Sequence, residues 1–185
     1  MLFRSCVALL TKFHANVFKE ELIRCLRIIL QTNRVQLVLK PHPRGRGEAH
    51  VLKKLLSSDV EIATGHVIEA VESADFILAL PSSAIYDALL LKKAVLFPSF
   101  VTSSVLHPDI LKYVRDLRCP DDLYAAVDAI VNAKAAVQLP VQTVPYAHLL
   151  AQWQSVLELR SDSVLAKLGQ AESNGMIAVG QSSRT

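Results

Sequence analysis

Short apolar runs alternate along this chain with longer stretches in which apolar residues recur at helical spacing. Val7–Leu10 is a strand-sized run. From Val17 to Thr32, the residues Leu22, Ile23, Leu26, Ile29 and Leu30 form one apolar stripe against a charged opposite face, which predicts a helix. Asn16 stands where it can cap that helix, and Glu20 and Glu21 fall in the early turns, where the helix dipole favours acids. Val35–Leu39 is a second strand, cut off by Pro41 and Pro43, which suit neither a helix interior nor a central strand.

The alternation continues. Glu48–Leu56 reads as a helix, Val60–Ile62 as a short strand, His66–Glu72 as a brief helix and Phe76–Leu80 as a buried strand. Ser82 or Ser83 can cap a helix that runs to Leu91. Ala94–Phe97 is the next strand, Pro98–His107 an irregular loop, and Pro120-Asp121-Asp122 opens a helix to Asn132 with proline in the tolerated first turn. Strands alternating with helices predict an α/β fold, a Rossmann-like doubly wound parallel sheet. The pattern breaks at Pro140–Pro145, resumes as a helix over Tyr146–Leu168, with Trp153 a packing residue, and fades after Gly169 into a Gly/Ser/Gln-rich tail without periodicity. The expected organisation is a domain over 1–138, a helical extension over 139–168 and a disordered tail over 169–185.

Composition narrows this picture. The 185 residues can bury a real core, and 51% hydrophobic with 20% charged residues is globular and rather apolar. A net charge of +3 without a basic stripe gives no case for nucleic acid. Cys6, Cys25 and Cys119 are odd in number and far apart, with no zinc spacing, which favours a reduced, cytoplasmic compartment. No apolar stretch approaches the ~20 residues of a membrane span. Met1–Leu10 faintly resembles a signal peptide, but Lys12, His14 and Lys19 follow without a small-residue cleavage site, so a buried first strand is the better reading.

Candidate chemistry gathers where two strands end. After the second strand come Lys40, His42, Arg44 and Arg46; after Phe76–Leu80 come Ser82 and Ser83. In an open parallel sheet both loops lie at the carboxyl edge, where such folds bind ligands. Cations, hydroxyls and the free N–H groups of a helix start together suit a phosphate. Flanking prolines stiffen the His42 loop. The plainer readings are a turn for Pro-His-Pro and an ordinary cap for one serine; the convergence of both loops favours a site. Asp87, early in the following helix, suits a ribose hydroxyl, or is simply a first-turn acid.

Other features carry less. His107-Pro108 lacks a preceding buried strand and neighbouring cations, and His14, His50, His66 and His148 have no partners at metal or triad spacing. Gly45 and Gly47 match no phosphate-binding fingerprint, and Ser82 sits in no nucleophile elbow.

Lys40-Pro-His-Pro after a strand, followed by Ala74-Asp-Phe-Ile-Leu-Ala-Leu-Pro-Ser-Ser-Ala-Ile-Tyr-Asp-Ala-Leu-Leu-Leu-Lys-Lys-Ala-Val, resembles the C-terminal half of GT-B glycosyltransferases of bacterial capsule and surface-polysaccharide biosynthesis. The nearest likeness is to transferases of CMP-activated Kdo or sialic acid, with their HP and paired-serine motifs. Arg118-Cys-Pro-Asp-Asp-Leu-Tyr-Ala-Ala-Val resembles the stretch that closes this half, so the likeness runs from about Val7 to Asn132.

The resemblance implies a donor-binding half. His42 would contact the donor phosphate or nucleotide, Ser82 and Ser83 phosphate oxygens, and Asp87 the ribose, with Lys40 and Arg44 as accessory cations. The implied reaction is glycosyl transfer from a nucleotide sugar, CMP-linked by preference, to a glycan acceptor, with no cofactor beyond the donor and no metal. The family's catalytic carboxylate lies in an N-terminal half absent before Val7, and Asp121-Asp122 is followed by leucine, not glycine; no catalytic residue is evident, and the chain reads as a truncated or split enzyme, inactive alone. Its partners would then include a separate N-terminal half or a second copy, with peripheral contact at the inner membrane face left open. Two other readings remain: a CDP-glycerol glycerophosphotransferase-like domain, and a non-catalytic assembly module that docks through Tyr146–Leu168.

Overall fold

The computed structural model describes residues 4–11 and 18–133. Six parallel strands form one sheet: β1 Arg4–Leu9, β2 Val35–Lys40, β3 Glu61–Ile62, β4 Phe76–Ala79, β5 Ala94–Pro98 and β6 Arg115–Leu117. Their spatial order is β3-β2-β1-β4-β5-β6. The chain therefore winds outward from β1 to β3, then returns to the other side of β1 to build β4 to β6. That reversal makes a crevice beyond the carboxyl ends of β1 and β4.

Helices cover both faces of the sheet: α1 Lys19–Gln31, α2 Arg46–Leu56, α3 Val67–Ser73, α4 Ala84–Leu90, α5 Pro108–Leu111 and α6 Pro120–Asn132. On one face Cys6, Ala8 and Leu10 pack into a core with Leu22 and Leu26 of α1, Ala49 and Leu52 of α2, and Leu123 and Val127 of α6. The alternate strand residues Val7, Leu9, Ile77 and Val95 are equally buried but stand outside that cluster, as do Val71, Ile85 and Ala88 of α3 and α4. Burial on both faces explains why β4 and β5 are continuous apolar runs instead of alternating ones.

Several expectations shift. The first strand spans Arg4–Leu9 instead of Val7–Leu10, because Arg4 is held by an ion pair to Asp75 at 3.0 Å, a tertiary contact that hydropathy does not show. The N-cap of α1 is Phe18, without a side-chain cap bond; Asn16 lies outside the described residues. Helix α1 stops at Asn33, whose φ of 50° is the left-handed conformation that asparagine tolerates. The Pro98–His107 segment holds a 3-10 turn at Ser99–Val101. Helix α5 and strand β6 are elements that the hydropathy pattern does not predict. Strand β6 is a three-residue edge strand that buries only Leu117 and leaves Arg115 and Asp116 partly wet.

Arg4, Ser5 and Asp75 stitch the amino ends of β1 and β4 together, far from the crevice: the Ser5 backbone N–H donates to Asp75 Oδ2 at 2.7 Å, and its hydroxyl at 3.1 Å. Cys6 and Cys25 are buried and Cys119 half-buried, all three as free thiols. No helix among the described residues is long and apolar enough to cross a membrane. The readings of Tyr146–Leu168, Trp153 and the tail after Gly169 lie outside the described residues.

Candidate functional site at the sheet crevice

The strand ends come level through the sheet register. Leu9 pairs with Lys40 on one side and with Ala79 on the other. The ladder runs on for one more bond at each edge, from Leu10 N–H to Lys40 O at 3.0 Å and from Leu80 N–H to Leu9 O at 3.4 Å. Beyond that line three loops and the end of β1 enclose a cavity of about 580 Å³, lined by Thr11, Lys40–Arg44, Gly65, His66, Pro81–Ser83 and Asp87. All six sequence-predicted site residues, Lys40, His42, Arg44, Ser82, Ser83 and Asp87, line this one cavity.

Their roles within it differ. The half-buried His42 accepts a hydrogen bond at Nδ1 from the Arg44 backbone N–H at 3.2 Å. Its own carbonyl accepts from the Gly45 N–H at 2.8 Å, closing the turn. An Nδ1 that accepts carries a lone pair, so the ring hydrogen sits on Nε2. Pro41 and Pro43 therefore fix the loop while the imidazole offers an N–H donor at the cavity.

The cap falls at Ser83, one of the two serines that the sequence offered, but neither serine makes a side-chain cap bond to α4. Ser83 occupies the cap position of α4, but with φ −63° and ψ −21° it is already helical, and its hydroxyl makes no cap bond. A cap side chain reaches back to the first-turn N–H groups from extended backbone; helical backbone turns it away. Ser83 is exposed. The Ser82 Oγ is the more informative atom: it is buried and has no hydrogen-bond partner. Buried hydroxyls are almost always paired, so this oxygen at the rim of the cavity has hydrogen-bonding capacity open to a water or a ligand atom.

Lys40 makes a contact that the sequence does not show. Its Nζ donates to the Gly65 carbonyl oxygen at 2.6 Å and tethers the loop after β3 to the end of β2. Arg44 is exposed at the mouth, with no ion pair among the described residues. Asp87 is half-buried in the first turn of α4, where burial pushes its carboxyl upward and the nearby His66 partly offsets this.

His66, set aside in the sequence as unpartnered, is brought into the site by the fold. It is exposed at the cavity mouth and caps α3: its Nδ1 accepts from the Ile68 N–H at 3.3 Å, while its own N–H donates to Glu69 Oε2 at 3.2 Å. This is a capping box with histidine in the cap position. The glutamate three residues later was the available signal; histidine is not a usual cap residue, which hid it. Gly65 lies so close to the Glu69 carboxylate that a side chain there would displace it. His107 caps α5 in the same manner, away from the cavity, with Nδ1 accepting from the Asp109 N–H at 3.3 Å. His14 and His148 lie outside the described residues. Among the described residues no group of three or more His, Cys, Asp or Glu side chains could hold a metal ion.

No family model matches the sequence. No curated protein matches it either. Solved structures do match. The UDP-GlcNAc 2-epimerase of Methanocaldococcus jannaschii, solved with UDP-GlcNAc and UDP, is 14% identical with a TM-score of 0.55, over 72% of this chain and 40% of that one. The glycotransferase of kitacinnamycin is 18% identical with a TM-score of 0.52, over 76% and 38%. The O-GlcNAc transferase of Thermobaculum terrenum is 16% identical with a TM-score of 0.53, over 92% and 35%. The chain thus spans less than half the length of each of these structures. At such identities the likeness is one of fold: this chain carries a six-stranded, Rossmann-like α/β domain of the GT-B type.

Proposed function

We propose that this chain is the nucleotide-sugar-binding half of a glycosyltransferase that acts in surface or capsular polysaccharide synthesis. The observation that carries the reading is the orphan Ser82 hydroxyl, buried at the β1/β4 switch point in the same cavity as His42. In this reading the Ser82 O–H and the His42 Nε2–H donate to phosphate oxygens of the donor. Both are preset, one by burial and one by the Nδ1 bond to Arg44, so little reorganisation is needed as negative charge builds on the leaving phosphate. Asp87 accepts from a ribose hydroxyl, and Arg44 draws the anion in from solvent.

The matching epimerase binds UDP-GlcNAc and UDP, which supports a nucleotide sugar as the ligand class. The paired serines and the HP loop favour a CMP-linked donor within that class. The catalytic carboxylate and the glycan acceptor belong, in this reading, to a second half of the enzyme.

Calorimetric titration of the whole chain with CMP, CDP and UDP tests this, alongside His42→Ala. Binding that the substitution weakens about tenfold, equivalent to about 1.4 kcal/mol, supports the donor half. Absence of binding to all three nucleotides overturns it and leaves an assembly module as the better account.

A further inference from the structure

The donor-half reading assigns no role to His66, yet this imidazole shares the cavity with Asp87 and His42. It sits at the N-cap of α3, and α3 packs on α4, which carries Asp87. We propose that His66 is a ligand-contacting residue that meets the donor's phosphate as an imidazolium, so that the chain takes up a proton when it binds a nucleotide sugar. This inference rests on the donor-half reading.

The charges around His66 set the direction. From α4, the half-buried Asp87 carboxylate faces the same cavity and makes no ion pair among the described residues. From α3, Glu69 is occupied with the His66 backbone N–H. From β2 and the loop after it, the Lys40 ammonium, which donates to the Gly65 carbonyl, and the Arg44 guanidinium at the cavity mouth oppose a further positive charge until an anion is bound. His42 stands across the cavity with its Nδ1 already accepting. The His66 Nδ1 also accepts, from Ile68, which is a bond only the unprotonated nitrogen can make. A bound phosphate adds negative charge next to Asp87. An opposite charge brought into the cavity favours the imidazolium, at the expense of the Ile68 bond, while the Glu69 half of the capping box remains.

The test uses a CMP-linked sugar and UDP-GlcNAc, whose esterified phosphates do not titrate in the working range, so that proton uptake reports the protein. Affinity is measured from pH 6 to 8, and the proton count from titrations in buffers of different ionisation enthalpy. The wild-type chain should lose at least about fivefold in affinity across this range, with net proton uptake near neutrality. His66→Asn keeps a good helix cap but cannot titrate; it should flatten the profile and abolish the uptake. His42→Asn should weaken binding throughout while leaving the proton count in place. Wild-type binding whose pH profile and proton count are unchanged by His66→Asn overturns the assignment of His66 and leaves the donor-half reading intact. Failure of the wild-type chain to bind any nucleotide overturns both.

Discussion

The ammonium of Lys40 donates to the carbonyl oxygen of Gly65 at 2.6 Å, joining the end of β2 to the loop that carries His66. A residue that the sequence offers as a phosphate cation thus also ties two walls of the cavity together. Arg44, two positions before α2 begins at Arg46, is instead exposed and makes no ion pair among the described residues.

The two cations should accordingly respond to salt in different ways. Arg44→Ala should weaken nucleotide binding several-fold at low ionic strength and hardly at all at about 0.5 M salt, where exposed charges are screened within a few ångströms. Lys40→Met should weaken binding by a similar factor at both salt concentrations, because what is lost is the position of the Gly65–His66 loop. Affinities measured at two ionic strengths for both variants check this. A salt-sensitive Lys40 variant would restore it to the role of a direct phosphate cation.

The two serines should separate as well. Ser82→Ala removes a buried hydroxyl that has no partner within the protein, so stability should stay level or rise by up to about 1 kcal/mol while nucleotide affinity falls. Ser83→Ala removes an exposed hydroxyl with no cap bond and should change stability by less than about 0.5 kcal/mol. Chemical denaturation with and without nucleotide reads both effects. A stability loss in Ser82→Ala would mean that its hydroxyl already has a partner.

Asp75 makes part of the fold's stability sensitive to acid. Burial alone would raise its carboxyl, but the Ser5 N–H and hydroxyl and the Arg4 guanidinium outweigh this and hold it below the usual carboxylate range. A carboxyl that ionises more readily when folded contributes stability above its unfolded pKa of about 3.9, and that contribution is lost as pH falls through the lower folded value. Asp75→Asn should therefore destabilise by about 1–2 kcal/mol at pH 7, through the lost charge-assisted bonds, and by progressively less below about pH 4. Denaturation midpoints from pH 7 down to 3 for both proteins give the comparison. A penalty that does not shrink on acidification would remove the charge argument.

Much of the fold could be read along the chain because burial imposes period. The runs Phe76–Leu80 and Ala94–Phe97 are apolar throughout because the sheet is covered on both sides, and α1 shows its buried stripe in Leu22, Ile23, Leu26 and Ile29. The site loops were visible for a related reason: an apolar strand that stops abruptly at Pro41 or Pro81 marks a sheet edge, and the polar residues just beyond it share that edge. Strand β6 escaped because an edge strand with one buried residue of three has no period to detect.

What the sequence by itself determined is therefore the strands and helices other than α5 and β6, their alternation, and the two loops that hold His42 and the serines. These depend on burial and on backbone preferences that act over a few residues. Only the tertiary structure decided how those loops are used. The order β3-β2-β1-β4-β5-β6 places the ends of β1, β2 and β4 side by side, and the packing of α3 on α4 brings His66 to Asp87. Burial of the Ser82 oxygen and the engagement of Lys40 with Gly65 join residues far apart in the chain, 25 positions in the second case. A hydrogen bond or an orphaned hydroxyl depends on distance in space, and the pattern of polar and apolar residues carries no such distance.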